Sequence, residues 1–583
     1  MTKHEFRFSP RANRANEIHW MNWDEAAFAR AAAEDKPILL AISAVWCHWC
    51  HVMDETSYSD PDVIAAINER FVPIRVDNDC RPDINARYNM GGWPTTAFLT
   101  PAGRTLTGAT YLPPPQMHRA LLEVARFYAE RKDEVDALPD VVQSAGAPHE
   151  TLDDAPIVRL REELERSYDA QFGGFGDAPK FPQTEALEFL LTESRATGDE
   201  RLYDMVAGTM RGMSGGGTYD HVEGGFFRYS TTRDWSVPHF EKMAEDHAGL
   251  LRVLAMLVFH TFDEGFRSTL RSATAYVRTV LYDTQRNVFA GSQDADEVYF
   301  ELPIEERRRR EAPFVDRTSY TNWTCGLAGA LCWVSLALDD ETLLHEAHAV
   351  LDAVHERLDN DGVLFHVLSD DRVSVPGLLT DHAAYLRALL DAYELGGEAR
   401  FLERAVATAA TLRGRFAAPG GGFYDRLEES TALGRLALRD RPITDNGTIA
   451  EALLRLHALT GDASYRETAR RTLCVYAQGA AAAGSFGASY ARALHRYLSP
   501  EVVVRIAGAA ESMGALRNAS LRLPSPFVDV RTLTRTEAQS MELGDETAAI
   551  VCTGTTCAPP LREVHRLREA YESLFANPNA SRR

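Results

Sequence analysis

The chain has 583 residues, 45% of them apolar and 25% charged, and 62 basic against 84 acidic groups leave a net charge of −22. Such an acidic chain is excluded as a binder of nucleic-acid backbones or anionic membrane surfaces, which need clustered cations. Its length fits about two to four domains with cores that need no disulfide staples. Lysine is nearly absent: Lys3, Lys36, Lys132, Lys180 and Lys242 leave 62 − 5 = 57 arginines. The opening stretch, MTKHEFRFSPRANRANEIHW, lacks the apolar core of a signal peptide, and the best apolar run, from Leu250, is broken by Arg252. A cytoplasmic protein is expected, and eight cysteines are too few for a disulfide framework.

Residues 1–145 alternate strand and helix signals, as a small α/β domain should. Lys36–Ser43 reads as a buried parallel strand, Asp60-Pro61 opens a helix, and Phe71–Val76 and Thr95–Thr100 read as further strands. Between the first strand and a helix stands Trp46-Cys47-His48-Trp49-Cys50-His51. A C-x-x-C at that junction places Cys47 at a helix N-terminus, where amide N–H groups and the helix dipole favour a thiolate. Protonated His48 and His51 would act the same way, and Cys50 is placed to resolve a mixed disulfide. Three other readings compete: c-type haem attachment through C-x-x-C-H, a zinc site completed by Cys80, and an inert pair. Haem attachment belongs with export, and zinc sites draw ligands from two separated segments, so no cofactor and no metal are expected. In Gly91-Gly-Trp93-Pro94 a proline opens a strand 44 residues after Cys50. A proline there suggests a deliberate device such as a cis peptide, the place a thioredoxin-like fold gives its substrate-contacting proline.

A polar stretch, Ser144–Asp154, reads as a linker to residues 155–500. These carry long helical patterns divided by loops that pair glycine with an aromatic, marked by Phe175, Phe226, Phe289, Phe365, Phe423 and Phe486. A spacing of about sixty residues fits one helical hairpin per repeat. Six hairpins make an (α/α)6 barrel with the loops gathered at one end. Polar motifs crowd into residues 219–247. Pro238 is expected to open a helix on which His239, Lys242 and Asp246 share a face, with Glu241 beside them. Around the adjoining loop lie Asp220, His221, Arg228 and Tyr229. Asp294, Asp296, Trp323, Asp381 and Asp445 fall near other loop ends and are candidate lining residues of the same pocket. Residues 501–583 return to α/β character, with Cys552 and Cys557 read as two free loop thiols in preference to a second redox pair.

These motifs, CHWCHVM (47–53), GGWP (91–94), GGFGDAPKFP (173–182), GGGTYDHVEGGFFRYS (215–230), WSVPHFEKM (235–243), QDAD (293–296) and Val551-Cys552…Cys557, are similar to those of the spermatogenesis-associated protein 20 family. In that family a thioredoxin-like domain is fused to a six-hairpin glycosidase-like barrel. The resemblance implies a multidomain α/β + α chain: a thioredoxin-like domain (1–145), an (α/α)6 barrel (155–500) and a small α/β segment (501–583). The chain departs from the thioredoxin pattern at Ala41, where a buried acid would stand, and at Trp49, which replaces the usual proline.

Two activities follow as expectations. One is thiol–disulfide exchange or redox sensing, with Cys47 as nucleophile, Cys50 as resolving thiol, Trp46 and Pro94 beside them, and a thiol reductant or protein disulfide as partner. The other is binding or epimerisation of a small sugar in the barrel, which resembles sugar epimerases; His221, His239 and His247 are its proton-transfer candidates. A non-catalytic scaffold is the remaining alternative. The lysine pattern adds a structural expectation: Lys180 and Lys242 are slim point charges amid an arginine-rich composition, so they should be at least partly buried and paired with carboxylates near the barrel pocket.

Overall fold

The structure, a computed structural model, describes residues 6–136, 151–543 and 546–575, so most of the sequence-derived linker lies outside the described residues. In the N-terminal region, α1 (Glu25–Glu34), β1 (Ile38–Ser43), α2 (His48–Glu55), α3 (Pro61–Arg70), β2 (Val72–Asp77), α4 (Pro82–Tyr88), β3 (Thr95–Leu99), β4 (Thr105–Ala109) and α5 (Pro114–Asp136) form one layered unit. Its sheet has the order β2-β1-β3-β4, with β1 parallel to β2 and antiparallel to β3. β1 is almost wholly buried, which is why its sequence is a continuous apolar run. Asp60 caps α3 ahead of Pro61, as its position before the proline demands.

Twelve long helices make the middle of the molecule: α6 (Ala155–Ser167), α7 (Thr184–Thr197), α8 (Glu200–Gly215), α9 (Ala244–Thr261), α10 (Glu264–Tyr276), and, after the short α11 (Glu297–Phe300) and α12 (Ile304–Arg307), α13 (Thr321–Leu338), α14 (Glu341–Leu358), α15 (Leu379–Gly396), α16 (Ala399–Thr411), α17 (Ile443–Thr460), α18 (Ala463–Tyr476) and α19 (Ala488–Leu498). Helices α7, α9, α13, α15, α17 and α19 pack in succession, and α19 packs back on α7, closing a ring. The other six lie outside it, each against an inner neighbour. The closed ring makes this an (α/α)6 barrel.

Several of the six glycine-aromatic loops are built alike. The aromatic's backbone N–H, or its neighbour's, is held by the fourth residue of the following inner helix: Phe226 N donates to His247 Nε2 at 2.9 Å, Leu364 N to His382 Nε2 at 3.2 Å, and Phe423 N to Asn446 Oδ1 at 2.7 Å. Two of these loops are also clipped by the two conspicuous lysines. Lys180 Nζ donates to Asp169 Oδ2 (2.6 Å) and Gly173 O (2.7 Å); Lys242 Nζ donates to Asp220 Oδ2 (2.7 Å) and Gly224 O (2.8 Å). Both lysines are fully buried, as their scarcity suggested.

One local expectation fails. Pro238 does not open a helix: Pro238–His239 and Lys242–Met243 are short strands, and α9 starts at Ala244. Tyr229–Ser230 pairs with the first and Ser292–Gln293 with the second, so tertiary strand pairing overrides a spacing that also fits a helix.

The C-terminal segment comprises β5 (Val502–Ala507), α20 (Ala510–Ser520), β6 (Val528–Thr532), α21 (Arg535–Ser540), β7 (Ala548–Thr553), β8 (Thr556–Cys557) and α22 (Arg566–Phe575). Its sheet order, β6-β5-β7-β8, and its strand senses repeat those of the N-terminal sheet. Cys552 and Cys557 face each other across the β7–β8 hairpin and are disulfide-bonded, which corrects the reading of two free thiols. Among the described residues no helix is long and apolar enough to cross a membrane.

Candidate functional site between the cysteine pair and the barrel mouth

The inner helices begin at one mouth of the barrel, and the N-terminal domain sits over it. Arg87 pairs with Asp425 at 2.8 Å, Arg7 with Asp316 at 2.7 Å, and His366 Nε2 meets the Asp79 carbonyl at 2.8 Å. Beneath lies a cavity of about 1320 Å³, lined by Asn78 and Asp79 from above and by first-turn residues of four inner helices, including Glu245, Trp323, Thr380 and Asp445, from below.

The cysteine pair faces this mouth. Cys47 caps α2, and Cys50 N donates to Cys47 Sγ at 3.2 Å; the two are disulfide-bonded. They are 5% and 2% exposed and pack with Trp46, Trp93 and, from the barrel, Met243 and Trp323. Trp323 therefore touches the cysteine cluster and lines the cavity. Pro94 is buried behind Trp93 in a cis peptide. Trp46 Nε1 donates to Asp79 Oδ2 at 2.6 Å, and the Arg228 guanidinium lies over the Trp46 ring, 4.0 Å from its centroid. His48 and His51 are half-buried on the first turn of α2.

Burial dominates the electrostatics. It pushes Asp246 up to about 7, with Arg228 opposing and Glu245 and Glu241 reinforcing, and it raises Glu245 against Arg228 alone. It pushes Asp294 up to about 6, opposed by His51, and Asp445 up to about 7, aided by Asp381 and Asp425. Asp246, Asp294 and Asp445 are therefore able to hold a proton near neutrality. His366 donates from both ring nitrogens, Nδ1 to Asp381 Oδ1 at 2.8 Å, and that carboxylate raises its pKa despite burial.

Of the residues singled out from sequence, Trp46, Cys47, Cys50, Pro94, Arg228, Trp323, Asp381 and Asp445 gather at this interface, with Glu241, Asp246 and Asp294 tied to it through Arg228 and His51. His239 stacks on Tyr229 (centroids 4.5 Å apart) and faces Glu241 at 3.4 Å. Four others serve elsewhere. Lys242 and Asp220 are locked together with Arg307 in a buried ion pair, His221 is exposed and bonded to Gly216 O, and exposed Asp296 caps α11. His247 cannot serve as a neutral-pH acid: its Nε2 accepts from Phe226, its Nδ1 bonds Met243 O, and burial lowers its pKa to about 4.

Sequence reasoning missed the buried group Asp77, Asp79, Asp316, Tyr320 and His366. Its members come from distant segments, Asp77–Asp79, Asp316–Tyr320 and His366, without a shared local signature. Burial and Asp316 push Asp77 up to about 6, and burial also drives the Cys80 thiol up, away from a reactive thiolate. Among the described residues no cluster of three or more His, Cys, Asp or Glu is arranged to hold a metal ion.

Residues 9–145 match the family Thioredox_DsbH, described as a protein of unknown function, DUF255. Spermatogenesis-associated protein 20 of Rattus norvegicus and of Homo sapiens are each 33% identical to the chain over 309 residues. The match covers 48% of this chain and about two fifths (39%) of those relatives. Among solved structures, cellobiose 2-epimerase from Bacillus thermoamylovorans B4167 is similar at 13% identity and a TM-score of 0.44, over 54% of this chain and 85% of that one.

Proposed function

We propose that the protein is a thiol–disulfide oxidoreductase whose substrate is a small molecule that reaches the cysteine pair through the cavity. The carrying observation is the burial of Cys47 and Cys50 against Met243 and Trp323. Sulfurs so enclosed disfavour a protein disulfide, whereas Trp323, which packs on them, also lines a cavity of about 1320 Å³ large enough for a compact disulfide.

Cys47, once reduced, stands at a helix N-terminus with the Cys50 N–H directed at its sulfur, an arrangement that favours the thiolate. The thiolate attacks one substrate sulfur, and the first thiol leaves. Cys50 then attacks Cys47 Sγ, and the second thiol leaves. The Cys47–Cys50 bond forms, and two electrons pass from the dithiol to the substrate disulfide. A small dithiol restores the starting state.

The test is dithiothreitol-driven turnover of 2-hydroxyethyl disulfide, compared with reduction of insulin. Turnover of the small disulfide, lost in Cys47→Ser, supports the reading; insulin reduced as fast, or no turnover of either, defeats it. A second reading, proton transfer on a sugar at the barrel mouth, is favoured by Asp445, an acid near neutrality beside the aromatic Tyr476 and Trp323 in the same cavity. Solvent deuterium entering an aldose, lost in Asp445→Asn, would support it.

A further inference from the structure

Beside the cysteines the barrel presents charges that the fold leaves uncommitted. Arg228 lies on Trp46 and, at 5.4 Å, over Trp93. Its backbone N–H donates to Glu241 O, but among the described residues its guanidinium makes no hydrogen bond or ion pair. Three carboxyls share its surroundings. Glu241 is 2% exposed and its Oε2 has no hydrogen-bond partner; Asp246 Oδ2 has none either; Glu245 is exposed to the cavity it lines. A buried acceptor without a donor is unfavourable, so a ligand that brings donors is favoured here.

The rest of the cavity has the same sign. Its arginines are occupied, Arg439 with Glu428 and the Tyr424 ring and Arg441 with Gly421 O, while Asp445 and Asp440 remain as acids in the wall. The uncommitted charge nearest the cysteine cluster is thus the carboxyls of Glu241, Glu245 and Asp246 and the Arg228 guanidinium on Trp46 and Trp93.

We propose that the cavity selects small disulfides whose arms carry amino groups, with the ammonium meeting Glu241, Glu245 and Asp246 while the sulfurs reach Cys47. The selection rests on the thiol–disulfide reading above. Arg228 accommodates one carboxylate on the same arm, so a diamine such as cystamine and an amino-acid disulfide such as cystine both fit, and a dicarboxylate does not. Incoming positive charge also favours ionisation of Asp246, which burial now opposes.

The experiment mixes the reduced protein with cystamine, cystine, 2-hydroxyethyl disulfide or 3,3′-dithiodipropionate. The rate of Cys47–Cys50 bond formation is divided by each compound's rate with free dithiothreitol, which removes intrinsic reactivity. Cystamine and cystine are expected to exceed 2-hydroxyethyl disulfide by about tenfold and dithiodipropionate by more, an advantage that shrinks with salt. Glu245→Gln with Asp246→Asn is expected to bring cystamine down towards 2-hydroxyethyl disulfide. Equal normalised rates in the unmodified protein, or dithiodipropionate fastest, overturn the selection and leave thiol–disulfide exchange standing. No reaction with any of the compounds overturns both.

Discussion

At one end of the barrel β1 runs into Cys47 and Cys50; at the other, a sheet of the same strand order and sense has β5 running into Ala509 and Ser512. The positions correspond: Cys47 and Ala509 each cap the helix after the first strand, and Cys50 and Ser512 are each its third residue. Pro94 and Thr547 each stand one residue before the third strand, and Thr547 hydrogen-bonds Ser512. The orientation differs. The cysteine end is buried against the inner-helix N-termini, whereas Ala509 and Ser512 are exposed. The C-terminal domain instead meets the inner helices' other ends through Arg517 on Glu394 O (2.8 Å) and Arg496 on Asp529 (2.9 Å). The same topology thus encloses a thiol site at one mouth and presents a bare helix end to solvent at the other. What makes the site is the docking as much as the motif.

Cys47→Ser should break the comparison most sharply, lowering small-disulfide turnover at least ~10²-fold. The converse graft, Ala509→Cys with Ser512→Cys in a Cys47→Ser background, should yield a dithiol that reduces insulin readily, because nothing covers it. If the graft instead prefers small disulfides, docking is not what confers selectivity. Lys242→Met tests the frame around the mouth. It strips a buried carboxylate of one partner and should cost about 3 kcal/mol in a denaturant melt, moderated because Arg307 still holds Asp220. Replacing Cys552 and Cys557 by serine opens a loop with a sequence separation of only 5. It should cost about 2 kcal/mol by loop-closure entropy and leave turnover unchanged.

The remaining prediction concerns pH. Asp445 is held at about 7 against an ordinary 3.8, so the folded state binds the extra proton between those values. Stability should therefore fall as pH rises from about 4 to about 7, and Asp445→Asn should flatten that part of the profile, read as Tm against pH.

Much of this was legible where the determinants are local. The apolar run of β1, the cap before Pro61 and the recurring glycine-aromatic loops each follow from a few adjacent residues. The lysines were legible by contrast, because a narrow ammonium fits under Gly173 or Gly224 where a guanidinium fork would not. The extended backbone of Pro238–Met243 was not, since its strand partners come from Tyr229–Ser230 and Ser292–Gln293 and its polar spacing also suits a helix. The C-terminal repeat of the sheet was hidden because the cysteines that advertise the first copy are Ala509 and Ser512 in the second. His366 and Asp316 had no signature at all: their meaning comes from what they touch across the interface.

The central claim, a cysteine pair enclosed by the barrel and open only to small molecules, is tested most directly by size-selective alkylation of the reduced protein, read at Cys47 by peptide mass. Iodoacetamide should modify Cys47, whereas a 5-kDa polyethylene-glycol maleimide (a reagent of about that size, far larger than a cavity that suits small ligands) should not until the protein is unfolded. Equal modification of the folded protein by both reagents would contradict the account.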